Sequence, residues 1–96
     1  MAVNVTVWDV SEYLETEEDI AAYLNAVAEE GDPTLLQAAL GDIAKARGMT
    51  SIAKKAGVSR ESLYKSLSAG GNPSFQTISK VSSALGLQVA FVPSKS

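Results

Sequence analysis

The chain reads as a mainly α domain, five helices set between two short terminal strands, and three observations carry that reading. Apolar residues recur at three- and four-residue spacing through the middle of the chain. Capping residues (Thr16, Asp32, Ser59, Ser74) stand just before those stretches, and Gly31, Gly48, Gly57 and Gly86 stand just after them. The two ends instead alternate with period two. Ninety-six residues supply one domain with one core. Residues 1–15 form an N-terminal strand and lead-in, 16–92 the helical domain with its terminal strand at 87–92, and 93–96 a tail.

Each element has its own cause. Val3, Val5 and Val7 alternate with Asn4, Thr6 and Trp8, which predicts a strand over 3–8. Trp8 reads as a core or interface anchor rather than part of a ligand box. Thr16-Glu17-Glu18-Asp19 is an N-cap with an acid at N3, a capping-box variant, and the acids suit the positive end of a helix dipole. Ile20, Tyr23, Leu24 and Val27 then mark one helical face, ended by Gly31. Asp32-Pro33 restarts the chain as N-cap and N1, with Leu36, Ala39, Leu40 and Ile43 facing inward as far as Gly48. Thr50 is placed to cap a very short helix over 51–56. Ser59 caps a helix over 60–69 whose inward pair is Leu63 and Leu67. After the break at Gly70-Gly71-Asn72-Pro73, Ser74 caps a fifth helix with Phe75, Ile78, Val81 and Leu85 inward. Leu87, Val89 and Phe91 alternate as the closing strand.

The net charge of −3 conceals a sharp division. Residues 1–42 carry ten acids and no base, whereas residues 43–96 carry eight bases and one acid, Glu61. A cationic half of this kind suits a polyanion, and an anionic half suits a basic protein. There is no cysteine and no histidine. Disulfides, thiolate metal sites and the usual neutral-pH general base are therefore excluded, so neither an enzyme nor a cofactor is expected. No apolar run approaches the ~20 residues of a bilayer span, and the first residues lack a basic signal region, which predicts a cytoplasmic protein without membrane contact.

The stretch Ile52-Ala53-Lys54-Lys55-Ala56-Gly57-Val58-Ser59-Arg60-Glu61-Ser62-Leu63 has the mechanics of a helix-turn-helix, placed over 50–69. Ala53 is small where a second helix crosses, Gly57 suits a left-handed corner, Val58 plugs it, and Leu63 anchors the second helix. With Leu63 and Leu67 inward, Glu61, Lys65 and Ser68 fall on the opposite face, flanked by Arg60, Ser62 and Tyr64. The first turn of such a helix is what reaches base edges, so Arg60, Glu61 and Lys65 are the candidate base contacts. Arg47, Lys54, Lys55 and Lys80, with Ser62 and the helix-opening Ser51 and Ser74, are candidate phosphate contacts.

These residues also have plainer readings. A lysine pair alone is usually a solvated face, and Glu61 either reads a base or merely caps its helix or pairs with Lys65. Tyr64 reads as packed along the helix side. The acids near Thr16 favour a helix start, yet that does not explain a base-free stretch of 42 residues. Glu12, Glu15, Glu17, Glu18, Asp19, Glu29 and Glu30 are therefore the candidate surface for a basic partner protein, the alternative being that they shield part of the basic face.

Over about residues 35–87 the sequence resembles the Cro/cI-type (XRE) helix-turn-helix family. More closely, through EDIAAYL, ARGMTSIAKKAGVSRESLYKSLS and GNPSFQTISKVSSALGLQ, it resembles the HigA-like probable addiction-module antidote proteins. That resemblance implies an antitoxin that neutralises a RelE/ParE-type (HigB-like) toxin and represses the shared promoter. The usual XRE pattern has two more residues between the preceding glycine and the small alanine than GMTSIA provides. The usual N-terminal phosphate contact accordingly passes to Thr50 and Ser51. Repressors of this type bind double-stranded DNA as homodimers over a palindromic operator, with half-sites ~34 Å apart. The terminal strands have three possible partners: each other, a second copy, or a sheet of the toxin. A stand-alone repressor without a toxin, and an inhibitory binding module whose helix-turn-helix is only scaffold, are the rival readings.

Overall fold

The computed structural model describes residues 14–94. Among them are five helices: α1 (Glu17–Ala28), α2 (Pro33–Arg47), α3 (Met49–Ala56), α4 (Arg60–Leu67) and α5 (Phe75–Ala84). The expected strand over 3–8 lies outside the described residues.

Four of the helix starts are capped as their residues dictate. The Thr16 hydroxyl accepts the Asp19 N–H, and the Asp19 carboxylate accepts the N–H groups of Thr16 and Glu15, closing the capping box. The Asp32 carboxylate accepts the Thr34 N–H at 2.9 Å, with Pro33 behind it. Ser59 accepts from Ser62 and Ser74 from Thr77, each at 3.1 Å. The fifth start differs from expectation. α3 opens at Met49 with Gly48 as N-cap and no side-chain cap, so Thr50 sits within the first turn. Burial of Met49 and Ile52 supplies what a capping hydroxyl would have contributed.

One core draws on all five helices: Ile20 from α1, Leu40, Ile43 and Ala44 from α2, Met49, Ile52 and Ala53 from α3, Leu63 and Leu67 from α4, and Val81 from α5 with Leu85 at its C-cap. Phe75 is not part of it. Burial deepens along α5 from its first turn to its end, so Phe75 overhangs the core at 63% exposure while Val81 is sealed. The segment 87–92 is likewise not a strand. A short strand needs a partner for its backbone groups, and none lies among the described residues. Leu87 alone docks on the core, while Phe91 and Val92 are 89% and 82% exposed.

The turn between α3 and α4 follows the sequence closely. Gly57 is left-handed (φ 75°), its N–H donates to the Lys54 carbonyl, and the Val58 N–H donates to the Ala53 carbonyl at 3.0 Å. That pair of bonds closes a Schellman motif and tucks Val58 against the core.

Helix α4 is held from behind by α2. At Gly41 a Cβ would lie only 3.0 Å from the Leu67 carbonyl oxygen, so the two backbones approach as only glycine allows comfortably. One turn earlier, the Gln37 amide donates to the carbonyls of Ser66, Ser68 and Gly71 at 3.2, 3.0 and 3.1 Å. It thereby satisfies acceptors that the end of α4 leaves open. This explains why α4 stops at Leu67 rather than at 69: Ser68 turns extended (ψ 165°) to bring the carbonyls onto Gln37. Replacing Gln37 by Leu strands these partly buried carbonyls and is expected to cost about 1–3 kcal/mol in urea denaturation. Unchanged stability would show that the clamp carries no weight.

Candidate functional site

The fold positions the α4 side chains by elimination. Leu63 and Leu67 are buried, and this pins the opposite arc outward. Arg60, Glu61, Ser62, Tyr64, Lys65 and Ser68 line one shallow depression of about 900 Å³ that ends at Gly70 and Gly71. The three candidate base contacts therefore share a surface with Ser62. Among the described residues, neither a hydrogen bond nor an ion pair engages the charged ends of Arg60, Glu61 and Lys65. The Glu61–Lys65 pairing is thus not formed, and capping of α4 falls to Ser59.

Apart from Ser62, the phosphate candidates lie outside this depression. Thr50, Ser51, Lys54 and Lys55 occupy the exposed arc of α3, opposite buried Ile52, Ala53 and Ala56. Ser74 caps α5, and Lys80 is exposed on the same helix. Arg47 is engaged within the fold, its guanidinium donating to the Leu14 carbonyl at 3.0 Å and tying the lead-in to the end of α2. Tyr64, 51% exposed, lies under the ammonium of Lys45, with 5.1 Å between Nζ and the ring centroid. This contact, like the Gln37 clamp, depends on residues far apart in sequence and has no local signature.

The acidic candidates lie on and around α1, which packs principally against α2. Glu15, Glu17, Glu18, Glu29 and Glu30 are exposed; Glu12 lies outside the described residues. Asp19 is committed to the capping box. The backbone N–H of Thr16, then that of Glu15, holds its carboxyl below the ordinary 3.8, against a smaller opposing effect of burial. Asp42 moves the other way: partial burial raises it, and nearby Lys45 opposes the rise. Among the described residues no group of three or more Asp or Glu side chains is arranged to hold a metal ion. No helix among them is long and apolar enough to cross a membrane.

Among the described residues the fold is thus helical, with Arg60 and Lys65 exposed on α4 and a set of acids exposed on and around α1. The chain belongs to the probable addiction module antidote protein family, which matches residues 4–93. A toxin is thereby implied as its partner in general terms. An uncharacterized protein of Haemophilus influenzae (strain Rd) is 54% identical over 81 residues, which cover 84% of each chain. No solved structure matches.

The depressed Asp19 carboxyl contributes stability above its ordinary range, and that contribution is lost as pH falls through the lowered folded value. Denaturation midpoints followed from about pH 6 down to about pH 2 should therefore fall more steeply for the wild type than for Asp19→Asn. Parallel curves would remove Asp19 from the cap.

Proposed function

We propose that this protein is a cytoplasmic antitoxin that neutralises a basic RelE/ParE-type (HigB-like) toxin and represses its own operon as an XRE-type helix-turn-helix homodimer. The observation that carries the DNA-binding half is the α4 surface, where Arg60, Glu61 and Lys65 lie together and unengaged on a helix whose inward pair is sealed. In this reading α3, the turn at Gly57 and α4 are the helix-turn-helix. Arg60 makes a bidentate contact to guanine, and Glu61 accepts from a cytosine amino group.

Phosphates are met by Lys54, Lys55 and Lys80, with the helix-opening backbone at Ser51 and Ser74. Thr50 and Ser62 add hydroxyl contacts. Arg47 already spends one N–H on the Leu14 carbonyl, so it ranks below the lysines. Two copies engage a palindrome, and the exposed apolar Phe91 and Val92 support an association between copies. Family membership supports the antitoxin half, and the base-free acidic stretch supports a cationic partner. The protein acts by binding alone, without catalysis or cofactor.

Mobility-shift titrations against the region upstream of its gene test the repressor role. Binding should weaken steeply with added salt. Arg60→Ala should cost about 1–3 kcal/mol and relax the preference at one base position, whereas Lys54→Ala should weaken all sequences alike and lower the salt slope by about one. Uniform weakening by Arg60→Ala would demote Arg60 to a phosphate contact, and no shift at low salt would remove the repressor role.

A further inference from the structure

We infer that the toxin docks in the groove between α1 and α2, seating a cationic, amphipathic segment with apolar side chains against Tyr23, Val27 and Leu35 and a Lys or Arg beside Glu30 and Asp42. The inference rests on the antitoxin reading above and gives that reading an address. The groove holds about 440 Å³ and is formed by these two helices with Glu30 of the turn that joins them. Its floor is Ala39, which is buried, and its apolar wall includes Leu35, 47% exposed although it opens onto half-buried Tyr23 and Val27. Leu35 therefore offers an apolar side chain that the monomer leaves partly in water, next to others already arranged to receive a partner.

Charge selects the occupant. Residues 14–42 carry eight acids and no base, and two of those acids, Glu30 and Asp42, line the groove itself. Asp42 is already partly desolvated there. The cation that faces it, Lys45, also lies over the Tyr64 ring. An arriving cation thus finds a carboxylate that has lost part of its water and is only partly compensated. Nucleic acid is repelled by the same field. A second copy placed groove to groove would set acids against acids, so self-association here is disfavoured. A segment carrying both apolar and cationic side chains answers both parts of the lining, as hot-spot anchors within a charged rim usually do.

The test uses the purified product of the neighbouring open reading frame as the toxin probe, with affinity measured by calorimetry for the wild type, Leu35→Ser, Asp42→Asn and Glu30→Lys. These sites are exposed or half-exposed, and helical circular dichroism with a thermal melt verifies folding. Binding by the wild type, with losses of about thirtyfold for Leu35→Ser and for Glu30→Lys, is the expected result. Binding by the wild type with all three variants within about threefold would overturn the groove while leaving the antitoxin reading intact. Loss in Glu30→Lys but full affinity in Leu35→Ser would also overturn it, because a diffuse acidic field needs no apolar contact. Failure of the wild type itself to bind would overturn the antitoxin reading and the groove together.

Discussion

The close crossing of α2 over the end of α4 sets how α4 sits in the fold. Gly41 lets the two backbones meet at Leu67, and Gln37 ties the last carbonyls of α4 and those beyond it to α2. Together with burial of Leu63 and Leu67, this leaves α4 a single orientation. Everything exposed on the α4 surface follows from that orientation, because a helix with two sealed positions cannot rotate without exposing them. A short helix of eight residues would be marginal in isolation and owes its order to this support.

The same helix α2 also separates charge. Its one flank packs α1, the acidic element, and the other meets α4 and, through the Gly48 junction, α3. Asp42 lines both the α1–α2 groove and the neighbouring recess that reaches Lys45, Tyr64 and Leu67. Lys45 bridges the two regions, close enough to Asp42 to oppose the rise in its pKa and stacked over Tyr64 of α4. The acidic and cationic surfaces are therefore neighbours through one helix.

Much of this was legible in the sequence wherever the signal was local. The caps at Thr16, Asp32, Ser59 and Ser74 each needed only a hydroxyl or carboxylate two or three residues from an N–H, and all four form. The Gly57–Val58 corner and the inward pair of α4 were equally local. What escaped was tertiary. Gln37 looks like any polar helix residue until its three acceptors, about thirty positions away, are known. Gly41 reads as a weak helix residue rather than a crossing point. Phe75 has the right periodicity but lies beyond the edge of the core, and residues 87–92 have strand-like alternation without a partner strand among the described residues. Periodicity reports which face an element would bury, not whether anything is there to bury it. Of the site residues, Arg60, Glu61 and Lys65 line one depression, while Asp19 and Arg47 bond the fold's own backbone.

The proposed function gives one small domain two binding surfaces, α3 and α4 for a DNA duplex and the α1–α2 groove for a toxin. Amide chemical-shift mapping, first with an operator duplex and then with the toxin, tests it most directly. Two separate footprints are predicted: the duplex perturbing α3 and α4 from about Thr50 to Ser68, and the toxin perturbing α1 and the start of α2 around Tyr23, Glu30 and Leu35. A duplex footprint centred on α1, or a single footprint shared by both ligands on α4, would contradict it.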